Sequence, residues 1–87
     1  MKEDFIIIGI HVLDRMQCIS KVQEILTKYG CDVKTRLGLH KTNEQNCSKS
    51  GLIILEFIGS KQRLEEMVES LLKIESVKIQ KMIFVAD

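Results

Sequence analysis

The chain contains no proline and no tryptophan, and only five glycines in 87 residues. Without proline, no collagen-like or polyproline segment is possible, and no stiff linker divides the chain. There is no block of Lys or Arg: 13 basic residues stand against 12 acidic ones, a net charge of +1. A protein that grips nucleic acid through its phosphates needs a basic stripe, so direct nucleic-acid binding is not expected. The longest apolar run, at the start, ends at His11, too short to span a bilayer. It is not followed by the small-residue cleavage site of a signal peptide. The three cysteines, Cys18, Cys31 and Cys47, form no CxxC pair, and their odd number argues against a disulfide framework. Reduced thiols and no membrane span make a cytoplasmic protein the expectation.

What is present is apolar: 45% of residues, beside 29% charged. That is a globular composition. A domain of this size buries only about 60–65% of its unfolded surface. The apolar residues exceed what one small core needs, which points to burial between subunits. Phe5–Leu13 alternates with both parities apolar: Ile6, Ile8, Ile10 and Val12 on one face, Phe5, Ile7, Gly9 and His11 on the other. A central strand reads this way. Asp14 opens a helix, with Gln17 placed as in a capping box. Its stripe is Cys18, Ile19, Val22, Ile25, Leu26 and Tyr29, and Gly30 is the expected left-handed stop. Cys31–Leu39 is a second strand, with Val33, Leu37 and Leu39 on one face and Lys34, Arg36, Gly38 and His40 on the more polar back of an edge strand.

After a polar loop, Leu52–Ile58 is apolar on both parities except at Glu56, so it is a second central strand. Gly59-Ser60 ends it and caps a helix whose Leu64, Met67, Val68, Leu71 and Leu72 share one face. Val77–Val85 is the last strand, where Lys81 marks a bulge or an edge. Lys61, Arg63, Glu65, Glu66 and Glu69 read as a solvated helix face. The order β-α-β-β-α-β predicts one ferredoxin-like α+β domain over residues 1–87. Right-handed crossovers give an antiparallel sheet of order 4-1-3-2 with both helices on one face. The other face would carry Phe5, Ile7, Leu52 and Ile54 with no helix to cover them. Uncovered apolar area of this kind marks an interface. A second copy of the chain, in a dimer or tetramer, is the simplest cover.

The loop from His40 to Ser50 is longer than the ~2–5 residues of a usual hairpin connection. His11 ends the first strand, His40 ends the second, and Cys47 precedes the third, so topology collects them at one end of the sheet. By strand parity both histidines are expected on the helix-free face. Two imidazoles and a thiolate suit zinc, nickel or copper. The other reading makes them ordinary strand-end residues and a loop thiol. A Cys47–His40 nucleophile pair has no orienting third group in the sequence, so no enzyme is expected. Cys18 is a core filler and Cys31 a structural residue at a strand start. Gly9 and Gly38, inside strands, mark bulges or a close approach of backbone or ligand.

The run GIHVLDR, the helix VQEILTKYG, the strand RLGLH, the cysteine loop, GLIILEF and the closing VKIQKMIF resemble one family along nearly the whole chain: the small ACT-like regulators associated with the iron-only hydrogenase system. The resemblance implies a ferredoxin-like regulatory or ligand-sensing homo-oligomer whose partner is a small ligand, a metal or another protein. A more distant similarity is to the metal-binding domain of the nickel-responsive repressor, and there His11, His40 and Cys47 fall at comparable places. It implies a divalent transition metal held by those three residues. Gly38 stands where that family has a further histidine, and no ribbon-helix-helix segment is present. Val12-Leu13-Asp14-Arg15 lacks the glycine of the usual ACT amino-acid loop, so amino-acid binding is not expected.

Overall fold

The computed structural model describes residues 4–39 and 50–86. Its elements are β1 (Phe5–Val12), α1 (Arg15–Lys28), a 3-10 turn (Gly30–Asp32), β2 (Val33–Leu39), β3 (Gly51–Phe57), α2 (Lys61–Leu72) and β4 (Val77–Phe84). The four strands form one antiparallel sheet in the order β2-β3-β1-β4. This is the expected 4-1-3-2 sheet read from its other edge, and the fold is ferredoxin-like.

Both central strands follow from their alternation. Ile8, Ile10 and Val12 of β1 and Ile53, Leu55 and Phe57 of β3 are buried under the helices. From α1 come Cys18, Val22, Leu26 and Tyr29, and from α2 come Leu64, Met67 and Leu71. These are the stripes expected from 3.6-residue periodicity. Leu72 departs from it: the residue is 56% exposed. The α2 stripe is therefore narrower than i, i+3, i+4, i+7, i+8, and Leu71 alone closes the last turn. No charged residue is buried among the described residues, so the core is built by apolar burial with no charge desolvation cost.

The helix ends are made differently from the sequence expectation in two of three places. Ser60 caps α2 as expected, its hydroxyl accepting from the Arg63 N–H at 3.2 Å. Asp14 stands at the N-cap of α1 but makes no side-chain cap hydrogen bond. Gly30 is not left-handed, and no described glycine has a positive φ. The helix instead tightens into the 3-10 turn. The Tyr29 N–H donates to the Ile25 carbonyl at 3.2 Å and the Asp32 N–H to the Tyr29 carbonyl at 2.9 Å. Carbonyls orphaned at the helix end are thereby satisfied without a glycine φ.

The strand β2 holds a second difference. Its pairing with β3 slips between Val33 and Thr35. Val33 faces Phe57 and packs on the core, whereas Leu37 lies opposite Ile54 and is 52% exposed. One residue out of step moves side chains to the other face, so Val33 and Leu37 do not share a face. Arg36 and Gly38 lie opposite the buried Leu55 and Ile53. The alternation expected to carry His40 to the helix-free face does not hold along β2; His40 itself lies outside the described residues. In β4 Lys81 marks an edge and not a bulge, because the β1–β4 register runs unbroken from Phe5↔Phe84 to Val12↔Val77.

Two backbone bonds close the ends of the sheet. The Leu13 N–H, just after β1, donates to the Ser76 carbonyl before β4 at 2.7 Å. The Ile58 N–H, just after β3, donates to the Asp32 carbonyl before β2, also at 2.7 Å.

Candidate ligand and partner surface

The face of the sheet away from the helices carries Phe5, Ile7, Gly9 and His11 from β1, and their register partners Leu52, Ile54 and Glu56 from β3. The edge strands add Leu37 from β2 and Lys78, Gln80, Met82 and Phe84 from β4. Phe5, Leu37, Met82 and Phe84 are about half exposed. Ile7, Leu52 and Ile54, nearer the centre, are partly buried. Phe5 and Phe84 meet edge to face at the β1–β4 border, with ring centroids 6.0 Å apart, in the range that aromatic pairs favour.

A hollow of about 420 Å³ lies on this face, lined by Ile7, Gly9, His11, Leu52, Ile54, Lys78, Gln80, Lys81 and Met82. Gly9 makes it. A Cβ at Gly9 would come no nearer than 4.0 Å to anything, and that atom is the Gln80 carbonyl oxygen. The glycine leaves open space and not a tight approach. Of the sequence readings of Gly9, the unbroken register on both sides of β1 removes the bulge.

His11 sits at the edge of this hollow, exposed, with Leu52 and Lys78 as its neighbours across the sheet. His40 and Cys47 lie outside the described residues. Among the described residues no three His, Cys, Asp or Glu side chains gather closely enough to hold a metal ion. Cys18 is buried in the core and Cys31 is exposed in the 3-10 turn, both as free thiols.

One cluster has no forerunner in the sequence reading. The Arg63 Nε and Nη2 both donate to Asp32 Oδ2, at 3.1 and 2.8 Å. The same guanidinium lies 4.6 Å above the Tyr29 ring, and Lys28 Nζ is 5.6 Å from that ring. The hydrogen bonds that Arg63 donates to Asp32 raise its pKa above the ordinary value; burial, the next largest effect, opposes them, and the charges of Asp32, Tyr29 and Glu66 add to the rise. Arg63 is therefore a permanent cation held in place, not a free member of a solvated face. Gly59 admits Asp32 to this position, since a Cβ there would lie 2.8 Å from Asp32 Cβ and Cγ. Asp32 and Arg63 are 31 residues apart, so no local spacing could have paired them. The cluster lies at the helix side of the molecule, away from the hollow.

No family model matches the sequence, and no curated protein is similar to it by sequence. Solved structures do match the fold. An uncharacterized protein of Thermotoga maritima, TM1266, superposes with a TM-score of 0.78 at 23% identity, over 93% of this chain and 98% of that one. CPII of Thiomonas intermedia K12, a nitrogen regulatory PII-like protein bound to ADP, AMP and bicarbonate, gives 0.64 at 11% identity, over 94% and 91%. A formyltetrahydrofolate deformylase of Pseudomonas putida KT2440 gives 0.52 at 13% identity, over 90% of this chain but 28% of the enzyme. The same architecture thus serves in a regulatory protein and as part of an enzyme, and the likeness fixes the fold alone.

Proposed function

We propose that this chain is a regulatory, ligand-sensing module without catalytic activity of its own, acting as a homo-oligomer through the helix-free face of its sheet. The observation that carries the proposal is that face. Its centre is apolar, its hollow is ready-formed, and no element of the chain among the described residues covers it. A monomer that left such an area in water would be prone to association. Pairing two copies back to back removes it from water and encloses the hollow, and ligand occupancy then becomes coupled to assembly. The fold of CPII, which holds ADP, AMP and bicarbonate, supports a sensing use of this architecture. The resemblance to regulators associated with the iron-only hydrogenase system supplies the process in which such a sensor would act.

The alternative is a metal-binding sensor or trafficking protein. Its support is the exposed His11 imidazole on the same face; His40 and Cys47 would complete the ligand set, with a fourth position left to water or another chain.

Light scattering on the purified protein tests the oligomer, and a mass of two or four chains is expected. A stable, soluble monomer at micromolar concentration overturns it. Thermal melting with ADP, AMP, bicarbonate, zinc and nickel tests the sensing. A saturable rise in Tm is expected with at least one small molecule, since a ligand at 100 times its Kd stabilises by about 2.7 kcal/mol. For the metal alternative, zinc and nickel titrations are repeated on His11→Ala, His40→Ala and Cys47→Ser. Variants that bind as the wild type does remove that site.

A further inference from the structure

The hollow over Gly9 deepens the sensing reading, and rests on it, by selecting a class of ligand. We propose that it binds a flat aromatic monocarboxylate, ring against the bare backbone of β1 and carboxylate toward Lys78 of β4.

The shape comes from one missing side chain. In an extended strand the residues on one face stand about 6.6–7 Å apart. At Gly9 the middle of three such positions is empty, with Ile7 on one side and His11 on the other. The nearest atom to an added Cβ at Gly9 is the Gln80 carbonyl oxygen, at 4.0 Å. A planar ring can lie on exposed peptide groups between two side-chain walls, where a branched aliphatic group would stand off the surface. Leu52 and Ile54 continue the apolar wall from β3, and Met82 supplies a thioether from β4. Sulfur beside a ring is a favourable contact. The volume, about 420 Å³, is in the range of small-molecule sites, ~300–1,000 Å³.

The charge of the rim selects the sign. Lys78 stands on this face beside His11, Lys81 reaches the rim from the edge strand although its register places it opposite buried Ile8, and none of the lining residues is acidic. The acid of this face, Glu56, lies opposite Ile7 and lines a separate cleft beyond it, which Lys81 lines too, so Lys78 is the cation of the hollow alone. An apolar floor with cations along one edge matches an amphipathic anion whose charge sits at one end. A neutral ligand would leave the ammonium groups unused, and a cation would be repelled.

Calorimetric titration with 2-naphthoate, and with the neutral 2-naphthamide as its control, tests this. Wild type should bind naphthoate saturably and naphthamide about tenfold more weakly, a difference of ~1.4 kcal/mol. Gly9→Val fills the hollow with a residue suited to a strand, and should weaken naphthoate by about tenfold or more. Circular dichroism checks that it folds; where it does not, Gly9→Ala serves, since its Cβ meets nothing within 4.0 Å. Lys78→Gln should weaken naphthoate several-fold and leave naphthamide unchanged. Absence of saturable naphthoate binding, equal binding of naphthamide, or wild-type affinity in the glycine variant overturns the inference. A protein stabilised by a nucleotide or bicarbonate but indifferent to naphthoate loses this inference and keeps the sensing reading. One indifferent to all of them loses both.

Discussion

The two faces of the sheet are built from the same kinds of residue but are finished differently. Ile8 and Ile10 are completely buried, while Ile7, the residue before them on the other face, is not. On β3, Phe57 is 2% exposed beneath the helices, while Ile54 on the other side is only partly buried. Composition does not separate these positions; what separates them is whether the chain supplies a cover. Two helices can cover one face of a four-stranded sheet and no more. The apolar alternation on β1 and β3 is therefore in excess of what the fold of one chain uses. The covered face carries stability, and the open face is available for association and binding.

This contrast is sharpest where a residue from each face can be removed from the same strand. Phe57→Ala empties a core position, and should destabilise the protein by about 3–5 kcal/mol, from lost transfer energy and the cavity left behind. Urea unfolding would show it as a lower midpoint at nearly unchanged slope. A loss below 1 kcal/mol would mean the helices do not seal this face.

Gly59→Ala should have an intermediate effect. The added methyl group would press on Asp32 and drive it from Arg63. Forced packing of this kind costs about 1–3 kcal/mol. Asp32 Cβ itself lies 2.8 Å from the added atom, so a companion Asp32→Gly change removes the obstruction, and the double variant should lose less than the sum of the two singles. Strict additivity in the double-mutant cycle would show that Gly59 is not there for Asp32.

The smallest effect on the fold, and the most informative for the comparison, is expected from Ile54→Lys. A lysine on an open face can keep its ammonium in water. The unfolding free energy of the isolated subunit should fall by about 1 kcal/mol or less, well below the loss in Phe57→Ala, because Ile54 is only partly buried. Assembly should fail, because the charge would be buried unpaired between two sheets. Light scattering should report single chains or irregular aggregates. A variant that retains the wild-type mass would move the subunit interface away from this face.

Much of this was legible in the sequence, and the reason differs from element to element. Both central strands were readable because each is apolar on both parities over seven or eight residues. The helices were readable because their stripes run for three or four turns. β2 was misread because it offers few apolar markers, and the slip after Val33 inserts a residue that no hydrophobic pattern records. The caps of α1 were misread because Asp14 and Gly30 are residues that can cap, and local preference is not obligation. The Asp32–Arg63–Tyr29 cluster was invisible because the fold, not the sequence, brings its members together. Of the candidate metal ligands only His11 falls within the described residues, at the edge of the hollow. Gly9 was visible as an anomaly in a strand, but only the open space above it shows what the anomaly provides.

The strand order has a consequence for how the molecule comes into being. The first half of the chain contributes β1 and β2, the second β3 and β4, and in the sheet they alternate as β2-β3-β1-β4. No strand pairs with another from its own half. The two end-closing bonds obey the same rule, Leu13 to Ser76 and Ile58 to Asp32. Neither half can satisfy its own backbone, so neither is a folding intermediate with a sheet of its own. Every ladder must wait for chain closure across the middle of the sequence, which slows folding relative to a protein of local contacts. Once formed, the sheet has no seam along which one half can melt and leave the other standing.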